Sequence, residues 1–245
     1  MSAAAYFEAA EEALKKLKTT QSEAIRAAAE ALTETILARG ALFAFGATHS
    51  FSLVAEMVYR TGGLMLINAI YPHGMDLSVR PMTQTSRTER VLDLGRVFLE
   101  DSPAQAGDAL IIASVSGRNA VAIDMALAAR EKRLRVIGVT SVEYSQSVES
   151  RHPSGKRLLD LCDVVIDNCA PLGDAAVEVP GETQKTGPLS TVLGCAAVNA
   201  MVAETVSMLM AKGVQPPIFM SANLDGGDER NARLLAEYRD RIFYL

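Results

Sequence analysis

The chain has 245 residues, of which 49% are hydrophobic and 22% charged, and its formal net charge is −5. That length suits one large α/β domain or two small ones, and the acidic balance argues against nucleic acid, whose phosphates are bound by basic patches. No run of eighteen apolar residues is expected to span a bilayer and the mixed Ala/Glu/Lys N-terminus is unlike a signal peptide. Cys162, Cys169 and Cys195 lack zinc-type spacing and read as buried thiols in a reducing compartment, so the expectation is a cytoplasmic protein with no membrane partner.

Residues 4–39 contain no Gly or Pro and read as helix, with Ala9, Ala13, Leu17, Ile25, Leu32 and Ile36 at helical spacing and a break near Thr19 and Thr20. Gly40 closes this lead-in as a C-terminal cap residue would. A short strand over 41–45 is followed by the loop Gly46-Ala47-Thr48-His49-Ser50 and a helix over 51–60. A strand follows at 64–70, then a long loop over 71–84 containing two prolines. Residues 86–99 resume helical spacing and place Glu89 in a first helical turn, where the peptide dipoles favour a carboxylate.

The apolar run 109–113 reads as a buried parallel strand, and the alanine-rich segment 120–132 as a helix. Between them lies Ser114-Val115-Ser116-Gly117-Arg118-Asn119. A strand, a small polar loop and a helix place hydroxyls and free backbone N–H groups at a helix N-terminus, which attracts anions. Ser114, Ser116 and Asn119 can bond phosphate oxygens, and Gly117 lets the backbone approach them. Taken alone, the same loop also reads as a turn with an N-cap. Two such units in one chain make an anion site between adjacent strand ends a stronger reading.

Residues 135–140 read as a strand, 141–150 as a polar stretch without a core stripe, 157–161 as a short helix and 164–167 as the last strand. Residues 169–188 read as a loop. The long, almost uncharged helix over 189–212 must be covered on most faces, which points to a subunit interface. A turn-rich loop carrying Asn223 and Asp225 precedes a final amphipathic helix. The order of elements predicts an α/β three-layer sandwich around a five-stranded parallel sheet, doubly wound like flavodoxin. It is read as a single domain over 1–245, with helices over 1–40, an α/β core over 41–168 and C-terminal helices over 189–245.

With both loops in view, the chain resembles the sugar isomerase (SIS) domain family over nearly its whole length. It is most similar to the stand-alone bacterial SIS proteins labelled phosphoheptose isomerases. The stretches that carry this are 46–50, 58–63, 116–119, 151–156 and 223–227, specific in combination although weak singly. The resemblance implies a bound phosphosugar, with Ser50, Ser114, Ser116, Gly117 and Asn119 at its phosphate, and a homodimer or homotetramer.

Aldose–ketose isomerisation through an enediol needs a base near C1–C2 and an acid near the sugar oxygens. Glu56, on the helix that leaves the first loop, is the candidate base, with an exposed helix glutamate as the alternative. In the phosphoheptose isomerases the acid/base glutamate of that helix lies one turn later, where this chain has Arg60. His49, and with less support His152, are candidate acid/base groups, each with a structural alternative; His73 is weaker. Gly46, Glu89, Thr191 and Asn199 complete the expected substrate site. Asn199 stands where the phosphoheptose isomerases carry a histidine on the long helix; it can position a hydroxyl but cannot shuttle a proton. No cofactor and no metal are expected, since His49 and Glu56 lack a third ligand. Two readings compete with the isomerase: a phosphosugar sensor without catalysis, and lyase or etherase chemistry on an amino-sugar phosphate.

Overall fold

The computed structural model describes residues 2–245; Met1 lies outside them. Two helices, α1 (Ser2–Thr20) and α2 (Ser22–Leu37), lead into five parallel strands: β1 (Leu42–Gly46), β2 (Ile67–Ile70), β3 (Ala109–Ala113), β4 (Arg135–Thr140) and β5 (Val164–Asp167). The sheet order is β2-β1-β3-β4-β5, with Phe43 of β1 in register with Asn68 on one side and Leu110 on the other. Side chains alternate across the sheet as strand geometry requires. Leu42, Ala44, Ile111 and Ile137 face one core together with Leu32, Val54 and Met201, while Phe43, Phe45, Leu110 and Ile112 face another with Leu99, Val121 and Met125. Helices on both faces of a parallel sheet make the doubly wound α/β sandwich expected from the order of elements.

On the first face lie α2, α3 (Phe51–Met57) and the long α8 (Ser190–Ala211); on the second lie α5 (Leu94–Glu100) and α6 (Ala120–Glu131). The most apolar 18-residue window of α8 has a mean hydropathy of 1.6. Length and composition alone would let α8 reach across a bilayer, although it holds no unbroken run of eighteen apolar residues. Asn199, Glu204 and Thr205 interrupt the apolar run, yet the scarcity of charge keeps the mean high. With 44% of that window buried and α2 and α3 packed on it, α8 is a core helix of this fold.

Three further expectations change. The helix expected over 86–99 is two helices, α4 (Gln84–Thr88) and α5, separated by a break in which Asp93 adopts a left-handed conformation with φ 63°. Glu89 therefore follows the last turn of α4 instead of opening a helix, and the dipole argument for it does not hold. Residues 141–150 contain the short helix α7 (Val142–Gln146), capped by the Ser141 hydroxyl, which accepts from the Tyr144 N–H. The loop expected over 169–188 carries a small antiparallel ribbon of β6 (Ala175–Val177) and β7 (Thr186–Pro188), which packs on α1. After α9 (Gly227–Glu237) the C-terminal tail returns to β2, where buried Asn68 donates to the Arg241 carbonyl and accepts from the Phe243 N–H.

Candidate functional site

Because β1 connects outward to β2 and β3 outward to β4, the loops that leave their carboxyl ends diverge and open a crevice between them. Gly46 closes the first loop tightly: a Cβ there would lie 2.6 Å from the Ser50 carbonyl oxygen. The turn Thr48–Ser50 that follows is tied down by the Thr48 N–H, which donates to the Met75 carbonyl at 2.9 Å. The second loop is anchored at both ends. The Ser114 N–H donates to the Val139 carbonyl, and the Gly117 carbonyl accepts from the Leu158 N–H at 2.8 Å. Gly117 has φ 58°, and an added Cβ would press on Leu158, Ser145 and Thr140, so this loop cannot easily carry a larger residue at its bend.

The crevice is a cleft of about 420 Å³ whose lining includes His49, Ser50, Glu89, Ser114, Ser116 and Asn119. Thr191, Thr48, Tyr144 and Asp174 line it as well. Among the described residues, the hydroxyls of Ser50, Ser114, Ser116 and Thr191 have no hydrogen-bond partner, and neither have the backbone N–H groups of Ser116, Gly117 and Arg118. Buried or half-buried polar groups are normally paired, so a convergent set left unpaired is suited to an external acceptor. The N-terminus of α6 points its partial positive charge at the same place, which favours an anion.

The N-terminus of α8 is treated differently. Asp174, 16 residues upstream of Ser190, accepts from the Leu189 N–H at 3.1 Å, the Ser190 N–H at 2.7 Å and the Ser190 hydroxyl at 2.7 Å. Both of its oxygens are spent, and the protein's own carboxylate occupies that helix end. Nothing local in the sequence announces this cap, because Asp174 sits in a bend before the ribbon, at φ 68°.

Asn119 is the N-cap of α6, but its amide is already engaged at both ends. Its Nδ2 donates to Glu89 Oε2 at 2.7 Å, and its Oδ1 accepts from Arg151 Nη1 at 2.9 Å. It lines the cleft as a positioning residue, and its second Nδ2–H and its backbone N–H, unpaired among the described residues, leave the expected phosphate contact open to it. Glu89 is held over α6 by this bond and by its carbonyl, which accepts from the Val121 N–H at 3.1 Å. Its second carboxylate oxygen has no partner among the described residues.

Other expected site residues lie elsewhere. Glu56 turns toward α8, where its Oε1 accepts from Asn199 Nδ2 at 3.0 Å and meets Arg60 at 3.3 Å. Glu56 and Asn199 therefore pair with each other and do not line the cleft, because six residues after Ser50 the helix has carried its side chains round to the α8 side. His152 also lies off the cleft. Its Nε2 meets buried Asp124 at 2.9 Å and its Nδ1 meets the Ser154 hydroxyl at 2.7 Å, so it fastens the 150–156 loop to α6. Burial holds the Asp124 carboxyl above its ordinary range, partly offset by His152. Gly46 and Gly117 act through backbone geometry, His73 packs against Tyr71 and Phe98, and Asn223 and Asp225 do not line the cleft. Among the described residues, no three His, Cys, Asp or Glu side chains converge as metal ligands.

A family model described as the SIS domain matches residues 5–141. The chain is also 45% identical over 240 residues to a UPF0309 protein of Streptomyces griseus, covering 98% of this chain and 96% of that one. This protein belongs to the SIS domain family. A UPF0309 protein of Oceanobacillus iheyensis is similar to this SIS protein at 42% identity, covering 96% of this chain and 95% of its own. Among solved structures, the phosphoheptose isomerase of Neisseria gonorrhoeae matches with a TM-score of 0.55 at 18% identity, covering 84% of this chain and 97% of that one. The enzyme of that name from Francisella tularensis matches with a TM-score of 0.54 at 14% identity, covering 82% and 94%. At these identities the likeness is one of fold, and it places the SIS architecture across most of the chain.

Proposed function

We propose that this SIS protein binds a phosphorylated sugar in the β1/β3 cleft and isomerises it between aldose and ketose through an enediol. The observation that carries this reading is the set of unpaired hydroxyls of Ser50, Ser114 and Ser116, together with free loop amides at the N-terminus of α6. These groups would hold the phosphoryl oxygens, each hydrogen bond to a charged acceptor stabilising by about 1.5–3 kcal/mol. Thr191, across the cleft, would meet sugar hydroxyls.

Glu89 takes the role first expected of Glu56. Among the cleft-lining carboxylates, Asp174 is spent on α8, whereas one oxygen of Glu89 is unpaired while Asn119 fixes the other. In this reading Glu89 removes the proton from the carbon beside the carbonyl and returns it to the neighbouring carbon. His49, exposed at the first loop, passes the matching proton between the two sugar oxygens. The reading takes residues 1–245 as one domain and the chain as a homo-oligomer, with a second copy covering the apolar groove formed by Leu14, Leu17, Ile25, Ala196 and Ala200.

The test combines binding with proton exchange. Ser116→Ala should weaken binding of a responsive sugar phosphate about ten- to a hundred-fold while barely altering binding of the same sugar without phosphate. Glu89→Gln should retain most affinity but abolish incorporation of solvent deuterium at the sugar carbon, followed by proton NMR. Unchanged exchange in Glu89→Gln would remove it as the base.

A second reading, binding without turnover, is favoured by the diversion of Glu56 and Asn199 into a contact with each other away from the cleft. Stabilisation by a sugar phosphate with no deuterium incorporation in the wild-type chain would establish that reading instead.

A further inference from the structure

Three arginines cluster just outside the lining of the cleft, around the single carboxylate of Glu89. Arg151 donates to Asn119 Oδ1 at 2.9 Å, and its backbone N–H donates to the Arg118 carbonyl at 2.9 Å. Arg118 immediately precedes Asn119, and Arg90 immediately follows Glu89, whose carboxylate takes the other end of the Asn119 amide at 2.7 Å. All three arginines thus stand on or within one residue of the hydrogen-bonded chain Glu89–Asn119–Arg151, beside the N-terminus of α6.

Among the described residues none of the three forms an ion pair, whereas Arg96, Arg130 and Arg135 on other surfaces each reach an acid. Arg118 Nε is buried and has no hydrogen-bond partner. Burial, with the nearby charges of Arg118 and Arg90, holds the Arg151 guanidinium below its ordinary range, partly offset by Tyr144 and Glu89. Three arginines around one carboxylate leave an excess of positive charge, which a further anion would offset. The serine cradle and its amides already supply enough donors for one phosphoryl group. Guanidinium forks match a further phosphate or a carboxylate equally well.

We propose that the ligand of this cleft carries a second anionic group, which Arg90, Arg118 and Arg151 receive while the serine cradle holds the phosphate. The substrate class is then a bis-anionic sugar: a bisphosphate, or a sugar acid bearing a phosphate. This inference rests on the phosphosugar reading above.

Isothermal titration of the full chain at physiological ionic strength tests it with fructose 6-phosphate, fructose 1,6-bisphosphate and 6-phosphogluconate. At least one of the two bis-anions should bind about ten-fold or more tightly than fructose 6-phosphate, and which one does so tells phosphate from carboxylate. Arg90→Gln, which alters an exposed side chain, should erase most of that advantage while changing the affinity for fructose 6-phosphate by less than about two-fold. Equal binding of all three compounds, or an equal loss for all three in Arg90→Gln, would overturn the inference and leave the phosphosugar reading standing. Binding of none of them would overturn both.

Discussion

The loops that follow β3 and β4 are built from the same small polar residues and each leads into a helix, yet they do opposite things with them. At the end of β4, Thr140 donates to the Val115 carbonyl at 3.0 Å, while Ser141, the next residue, donates to the Ala170 carbonyl at 2.7 Å and caps α7. Both are fully buried. After β3, the hydroxyls of Ser114 and Ser116 reach no partner among the described residues and border an open cleft. A hydroxyl satisfied inside the protein holds the fold, and one left unsatisfied at a cleft is available to a ligand. The chemistry of the residue type is the same in both loops, and what differs is whether a neighbour arrives to use it.

The contrast can be broken or sharpened by exchanging roles between the two regions. The largest effect is expected at the buried pair that fastens the 150–156 loop to α6. Asp124→Ala should cost about 3 kcal/mol in urea unfolding, because it removes a buried acceptor and strands His152. The pH dependence carries a sign. Burial raises the Asp124 carboxyl above its ordinary 3.8, so the folded chain takes up that proton before the unfolded chain does. The contribution of Asp124 to stability therefore falls as pH rises through the window from 3.8 to its higher folded value. Asp124→Asn should flatten the stability profile there.

Next in size is Ser141→Ala, which should destabilise by about 1–2 kcal/mol through loss of a buried hydrogen bond and a cap, with sugar-phosphate binding preserved. Ser114→Ala should do the reverse, leaving the unfolding midpoint almost unchanged and weakening the ligand. If both variants lost stability and neither lost affinity, the distinction between the loops would disappear. Gly117→Ala should cost about 1 kcal/mol from its positive φ and also displace the cradle, lowering affinity in the same titration. The smallest effect concerns the thiols. Burial, with Asp163 nearby, pushes Cys162 up to about 12, so it should react with a thiol reagent at neutral pH far more slowly in the folded chain than in urea.

Much of the architecture was legible because it is local. The apolar runs of β1, β3 and β4 and the alanine-rich α6 stand in the sequence where they stand in the fold, and the two small-residue loops fall at the ends of their strands. Glu89 shows where this stops. Helical spacing runs through 86–99, but the structure breaks it at Asp93 so that the Glu89 carboxylate can turn onto Asn119, a bond spanning 30 positions. Glu56 shows the complementary limit. Its place on the helix after the first loop was legible, but the side it faces depends on how α8 crosses that helix. His152, flanked by Pro153 and Gly155, reads in the sequence as a loop histidine over the sheet edge, and only packing brings Asp124 to it.

Hydrophobic periodicity and the strand, loop and helix order determined by themselves that this chain would be a doubly wound α/β protein with small polar loops meeting between two strands, because those signals depend on neighbours a few positions apart. Which polar groups in that crevice remain free was decided only by the tertiary structure. Asp174 to Ser190, Glu89 to Asn119 and Asp124 to His152 are contacts across 16, 30 and 28 positions. A hydrogen bond is satisfied by whatever the fold brings within about 3 Å, and sequence spacing does not encode that.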